Sequence, residues 1–240
     1  MAWRTMKARI RKLAHPFRVA ALAIGIVTFL QISACAQAPT TILPNGIYTY
    51  AIIERGKQLS TSTLVVNRAH GELSVEEHAA PMEPSETAVR VLDPSTFQLR
   101  SYVAGVPAHQ VAAVTVSGAT ARVRYGTSTI RVSAVPGAPF VLADVFVGLW
   151  FQLPAMLRVT KAQRLTSITL GFTAPHQALL TVSPGTSRKP QRASKDDIAI
   201  TVTAEGASST LWYDPKTFVM DEFDAPGGEI VFARTATPAR

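Results

Sequence analysis

Few residues in this 240-residue chain have the type and spacing to do chemistry. The only thiol is Cys35, and a single cysteine in an exported protein has no disulfide partner, so it is either removed or used. Beyond the first segment the histidines are His70, His78, His109 and His176, well separated along the chain. Glu76-Glu77-His78 comes nearest to an acid–base or metal cluster. On a strand Glu76 and His78 share a face, and two groups that are hard to bury side by side mark the solvent side. Asp93 and Asp214 recur in one pattern, Asp-Pro-x-Thr-Phe. Proline presets the second turn position and the Asp side chain accepts a backbone N–H two residues on, so both read as turns from which Thr-Phe restarts a strand. There is no Gly-x-Ser-x-Gly elbow, no phosphate-binding glycine loop and no His-Glu-x-x-His. No catalytic residue, metal ligand or cofactor is assigned, although a triad drawn from distant residues would leave no trace in spacing.

The chemistry that spacing does support belongs to Cys35. Arg4, Lys7, Arg9, Arg11, Lys12 and Arg18 precede the apolar run Val19 to Leu30, and Ile32-Ser33-Ala34-Cys35 follows. A basic region, a short apolar region and small exit residues make a secretory signal. Ile-Ser-Ala-Cys resembles a bacterial lipobox, which implies a lipidated, palmitate-type Cys35 as first residue of the mature chain. Ala36 in place of Asp then implies an outer-membrane lipoprotein facing the periplasm. Two alternatives stand beside it. Ala34-Cys35-Ala36 also fits ordinary cleavage and a soluble periplasmic or secreted protein, and an uncleaved anchor would use an apolar run that is short for a span of about 20 residues. The expected organisation is a signal at 1–34, lipidated cysteine and tether at 35–44, one β-rich domain at 45–235 and a tail at 236–240. The leader also explains the net charge of +8: it holds six of 24 cations and none of 16 acidic residues, so 18 − 16 leaves +2 after Cys35. That balance excludes nucleic acid as a partner.

The elements that would position any site are strands. From Gly46 on, short runs of Val, Ile, Thr, Tyr and Phe alternate with turn residues about every ten positions. Ala121 to Tyr125, Gly126-Thr127-Ser128 and Thr129 to Ser133 form the clearest hairpin. Ala121, Val123 and Tyr125, joined by Ile130 and Val132, face a core, and Arg122, Arg124 and Arg131 face water. About a dozen such strands cannot stay in one flat sheet. The fold class is all-β and mainly antiparallel, a strongly curved sheet or incomplete barrel with one or two short helices near the middle.

Those helices come from Pro139 to Thr160, the most apolar stretch after the leader. Asp144 can cap a helix, Pro154 can begin another, and Phe146, Leu149, Trp150 and Leu153 recur at helical spacing. The segment either plugs the curved sheet or forms a lid over an apolar cavity. Phe146, Leu149, Trp150, Phe151, Met156 and Leu157 are the candidate ligand or lid residues, with Arg158, Lys161 or Arg164 placed to meet an anionic head group.

The opening Gly46-Ile47-Tyr48-Thr49-Tyr50, the run Ser62-Thr63-Leu64-Val65-Val66 and the closing Trp212-Tyr213-Asp214-Pro215-Lys216-Thr217-Phe218-Val219-Met220 resemble uncharacterised secreted β-rich bacterial domains of the DUF3108 type. The resemblance implies a curved antiparallel sheet and transfers no catalytic residue. In architecture the chain also resembles envelope lipoprotein carriers, half-barrels that hold acyl chains. Three functions follow as expectations. One is a membrane-tethered binder of a hydrophobic or lipid ligand, another an accessory lipoprotein docking an envelope component, and the third a hydrolase with an unrecognised site.

Overall fold

Two-residue turns set the scaffold. At Arg55-Gly56, His70-Gly71 and Glu205-Gly206 both residues have positive φ (48° and 81°, 52° and 79°, 48° and 83°), the geometry that matches the right-handed twist of flanking strands. Glycine supplies the second position without a Cβ penalty, and His70 is thereby a turn residue. In the computed structural model the described residues are 41–80, 87–106, 109–143, 148–157, 161–170 and 175–235. Cys35, the leader and most of the tether lie outside them, as do Asp144, Phe146, Arg158 and the 236–240 tail.

Fifteen strands form one sheet. Strands β1 (Gly46–Glu54), β2 (Lys57–Ala69), β3 (Glu72–Ala80), β4 (Thr87–Leu92), β5 (Leu99–Val106), β6 (His109–Ser117), β7 (Thr120–Tyr125) and β8 (Ser128–Ser133) run out to one edge as an antiparallel meander. On the other side of β1, strands β15 (Ile230–Arg234), β14 (Met220–Asp224), β13 (Ala207–Tyr213), β12 (Ile198–Ala204), β11 (His176–Pro184) and β10 (Gln163–Thr169) follow in reverse order to β9 (Phe140–Ala143). The sheet curls until its ends meet without closing into a barrel. Strand β9 packs on β5, and the Gln177 side chain of β11 donates to the Ser133 carbonyl of β8 at 3.2 Å.

The expected dozen or so strands compare with fifteen, and β9 lies in the apolar stretch expected to be helical. It pairs parallel to β10, and a parallel pair needs a crossover connection. Helix α1 (Gly148–Leu157) makes that crossover. At ten residues it is about 15 Å long, and it fills the interior of the curl. Leu149, Phe151, Leu153 and Ala155 are buried, with the Phe151 ring 5.2 Å from Tyr48 and 6.3 Å from Tyr50. One helix, not two, is present among the described residues. Pro154 sits inside α1, where its missing N–H removes the bond to the Trp150 carbonyl. The clearest hairpin has the expected faces: Ala121, Val123 and Val132 are buried and the three arginines exposed, while Ile130, on the last strand, is 38% exposed.

The two Asp-Pro turns are copies of each other. Asp93 Oδ1 accepts the Ser95 and Thr96 N–H groups at 3.0 and 2.9 Å, and Asp214 Oδ1 those of Lys216 and Thr217 at 2.8 and 2.7 Å. Their final residues, Phe97 and Phe218, take φ of 58° and 56°. The strand therefore restarts two residues later than expected. Burial of Phe97 and stacking of Phe218 on Tyr213 at 5.7 Å compensate for a backbone conformation that bulky residues avoid.

Candidate functional site

The interior is organised by charge as well as by apolar packing. On β3, Leu73, Val75 and Glu77 share the inward face, and on β4 so do Ala88, Arg90 and Leu92; all six are buried. Glu77 Oε2 accepts the Gly148 N–H that opens α1 at 2.7 Å and an Arg90 Nη1 hydrogen at 3.4 Å. Ser62 Oγ donates to Glu77 Oε1 at 2.5 Å, and the Arg90 guanidinium lies 5.2 Å from the Tyr102 ring centre. A carboxylate at the positive end of the helix is favourable there. The fit is tight: a Cβ on Gly148 would stand 2.1 Å from Arg90 Nη1. This cluster fixes α1 in place and presents no open face to a substrate.

The open site lies on the opposite side of α1. Near the rim that carries the Glu205-Gly206 turn, most inward positions of β9 to β13 are small (Ala143, Ser167, Ala178, Ala204, Ala207 and Ser209), and Leu180 and Val202 line the deeper part. Further along the same face stand Leu165, Val182, Ile200 and Leu211, all buried. The exchange of large for small side chains leaves a groove of about 260 Å³ between α1 and the sheet. Trp150 forms one wall, stacked on Phe223 at 4.5 Å and 12°, and His176, Glu205 and Pro226 stand at the rim. The groove is mostly apolar, with hydroxyls from Ser167, Thr169 and Ser209 along it.

The candidate residues divide accordingly. Trp150 lines the groove. Leu149 and Phe151 are buried in the core, Met156 is partly buried against it, and Leu157 lies at its margin. Phe146 falls outside the described residues. Lys161 and Arg164 are exposed at the start of β10. The groove takes its lining from the far end of that strand, at Ser167 and Thr169, about 16 Å from Arg164 to Thr169 at the rise of a strand. Glu76 and His78 are on the outer face, 2.9 Å apart and half exposed, as their spacing implies. Glu77, between them, is the structural residue of the trio: the face it shares with Leu73 and Val75 calls for a buried partner.

No family model matches the chain. No curated protein matches it either. The DUF3108 resemblance therefore keeps its coarser content, an uncharacterised β-rich domain. Among solved structures the fold is similar to a β-barrel-like protein of the domain of unknown function DUF1849 from Brucella abortus, with 11% identity, a TM-score of 0.49, and coverage of 82% of this chain and 100% of that one. It is also similar to a DUF1089 family protein from Pseudomonas aeruginosa, with 13% identity, a TM-score of 0.41, and coverage of 70% and 90%.

A second, polar cleft of about 550 Å³ opens at the other rim, among Arg192, Asp197, Asp214, Lys216, Asp221 and Arg234. Asp221 meets Arg234 at 2.5 Å and shares the cleft with the carboxyls of Asp197 and Asp214, whose negative charges favour its protonated form. Burial, against the opposing pull of Arg234 and reinforced by the charges of Asp197 and Asp214, pushes Asp221 up to about 7. Burial and the neighbouring Glu222 push Asp224 up to about 6. Glu222 itself holds the β11–β12 loop, accepting the N–H groups of Gln191, Arg192 and Ala193 at 2.7, 2.5 and 2.7 Å.

A pH dependence follows with a definite sign. Asp221 and Asp224 keep a proton in the folded chain at pH values where an unfolded aspartate, titrating near 3.9, has lost it. The folded state thus binds more protons between about pH 4 and pH 7, and stability falls as pH rises through that window. The melting temperature is expected to be higher at about pH 5 than at about pH 8, with Asp221→Asn flattening most of the difference. Equal melting temperatures in the unsubstituted chain would count against the raised pKa of Asp221 and Asp224.

Proposed function

We propose that this chain is a cell-envelope lipoprotein that binds a hydrophobic, single-chain ligand in the groove beside Trp150. The observation that carries the reading is the replacement of large inward side chains by Ala143, Ser167, Ala178 and Ala204 at one end of β9 to β12, next to an aromatic wall of Trp150 and Phe223. Each methylene placed in such a groove gains about 0.8 kcal/mol. The lipobox-like Ile32-Ser33-Ala34-Cys35 supports tethering, with the apolar supply of the membrane close at hand. Native mass spectrometry of the protein purified from bacterial envelopes tests the ligand. A mass excess that matches a lipid and disappears on denaturation supports the reading; a bare protein mass that persists after incubation with membrane lipids overturns it.

Anchoring and binding are separable by substitution. Cys35→Ala is expected to release the protein from the membrane fraction, or to block its maturation, with ligand uptake retained by any folded product. Retention in the membrane with an unmodified cysteine would refute lipidation. Trp150→Glu is expected to abolish ligand uptake and leave membrane retention unchanged, because a carboxylate in an apolar groove is costly to desolvate.

A further inference from the structure

The rim of the groove says more about the ligand than its apolar walls do. Among the described residues its lining holds one carboxylate, Glu205, one imidazole, His176, and no Lys or Arg. Both Glu205 and His176 are exposed at the mouth, and Glu205 is held by the left-handed turn with Gly206. The described cations around this rim are engaged or face elsewhere. Arg55 pairs with Glu229 at 3.2 Å. Arg188 comes to Gly228 and acts on the Asp224 carboxyl, which points to the outer face with Glu222. Lys161 and Arg164 belong to the opposite end of β10. A fatty carboxylate or a phosphate seated in the groove would therefore bring its negative charge to Glu205 and meet no guanidinium or ammonium among the described lining residues. A hydroxyl, amide or ammonium can instead donate a hydrogen bond to the Glu205 carboxylate.

We infer that the groove takes a single-chain amphiphile whose polar end is a hydrogen-bond donor without negative charge, held at the rim by Glu205. This rests on the groove being the ligand site, and it sets aside Lys161 and Arg164 as partners of an anionic head group, because both stand at the other end of β10; Arg158 lies outside the described residues. The chemistry is that of the donor, whether it belongs to an alcohol, an amide or an amine.

The test compares dodecanol, dodecylammonium and dodecanoate on the full chain, followed by tryptophan fluorescence and calorimetry at a pH where the fatty carboxylate is ionised. The chain length is constant, so differences report the head group. The alcohol and the ammonium are expected to bind about threefold or more tighter than the carboxylate, the size of an exposed charge contact. Glu205→Lys, an exposed turn substitution, is expected to bring dodecanoate level with the alcohol or above it. Tightest binding by dodecanoate to the unsubstituted chain, or a ranking that Glu205→Lys leaves unchanged, would overturn the head-group assignment while the groove stands. No binding by any of the three overturns the groove itself, and the assignment with it.

Discussion

Replacing Glu77 by alanine is expected to destabilise the domain by about 3–5 kcal/mol, a large fraction of the total for a chain of this size. Glu77 is fully buried and holds Gly148 N–H, Ser62 Oγ and Arg90 together. Its removal takes one carboxylate away from the buried Arg90 guanidinium, and it takes the Glu77 acceptor from the opening N–H of α1. Arg90→Ala is expected to cost a similar amount for the converse reason. The double replacement Glu77→Leu with Arg90→Met removes both charges at roughly constant volume, and it is expected to recover most of the loss, since a buried ion pair need not outperform apolar packing. Urea denaturation followed by circular dichroism of the two singles and the double measures the coupling. Single losses below about 1 kcal/mol, the size of a surface pair, would mean that this cluster does not hold α1.

How far the sequence disclosed this arrangement depends on which level is asked about. Strands were legible because the period of two is local: Leu73 and Val75 declare the inward face of β3 without reference to anything else. The same local rule also put Glu77 on that face, but its meaning lay on β4, where Arg90 waits, and pairing partners are not written in either strand. Strand β9 gives no period because Phe140-Val141-Leu142-Ala143 is uniformly apolar and buried at its first three residues, and a short apolar run fits a helix as readily as a strand. Its parallel pairing with β10 decides the matter, and that is a tertiary fact. Phe97 and Phe218 were placed in strands by propensity, while the turn's hydrogen bonds, with Asp93 and Asp214 at their centre, set their φ. The groove is an intermediate case. Ala143, Ser167, Ala178 and Ala204 stand at inward positions where the neighbouring residues are Leu, Val and Ile, so the deficit of volume is present in the text. Only the register of β9 to β13, which sets Ser167 opposite Ala178 and Ala204 opposite Ala207, shows that the small residues fall side by side.

Ala178→Phe is the change expected to alter binding most. Ala178 is only partly buried and faces the groove, so an aromatic ring placed there occupies space that no side chain uses. Overpacking costs about 1–3 kcal/mol in a filled core, and the open groove places this substitution at or below the low end of that range. The effect on a ligand is much larger. Each methylene excluded forfeits about 0.8 kcal/mol, so the loss of two or three already weakens binding by more than tenfold, and a ring across the floor displaces more than that. Thr181→Phe is the control, since Thr181 is exposed on the outer side of the same strand; it adds the same ring to the same element without touching the groove. Ligand uptake lost in Ala178→Phe and retained in Thr181→Phe, with both melting cooperatively within a few degrees of the parent, locates the ligand between Trp150 and β11. Equal uptake by both variants would remove the groove from consideration, because no hydrophobic chain can share the space that the new ring fills.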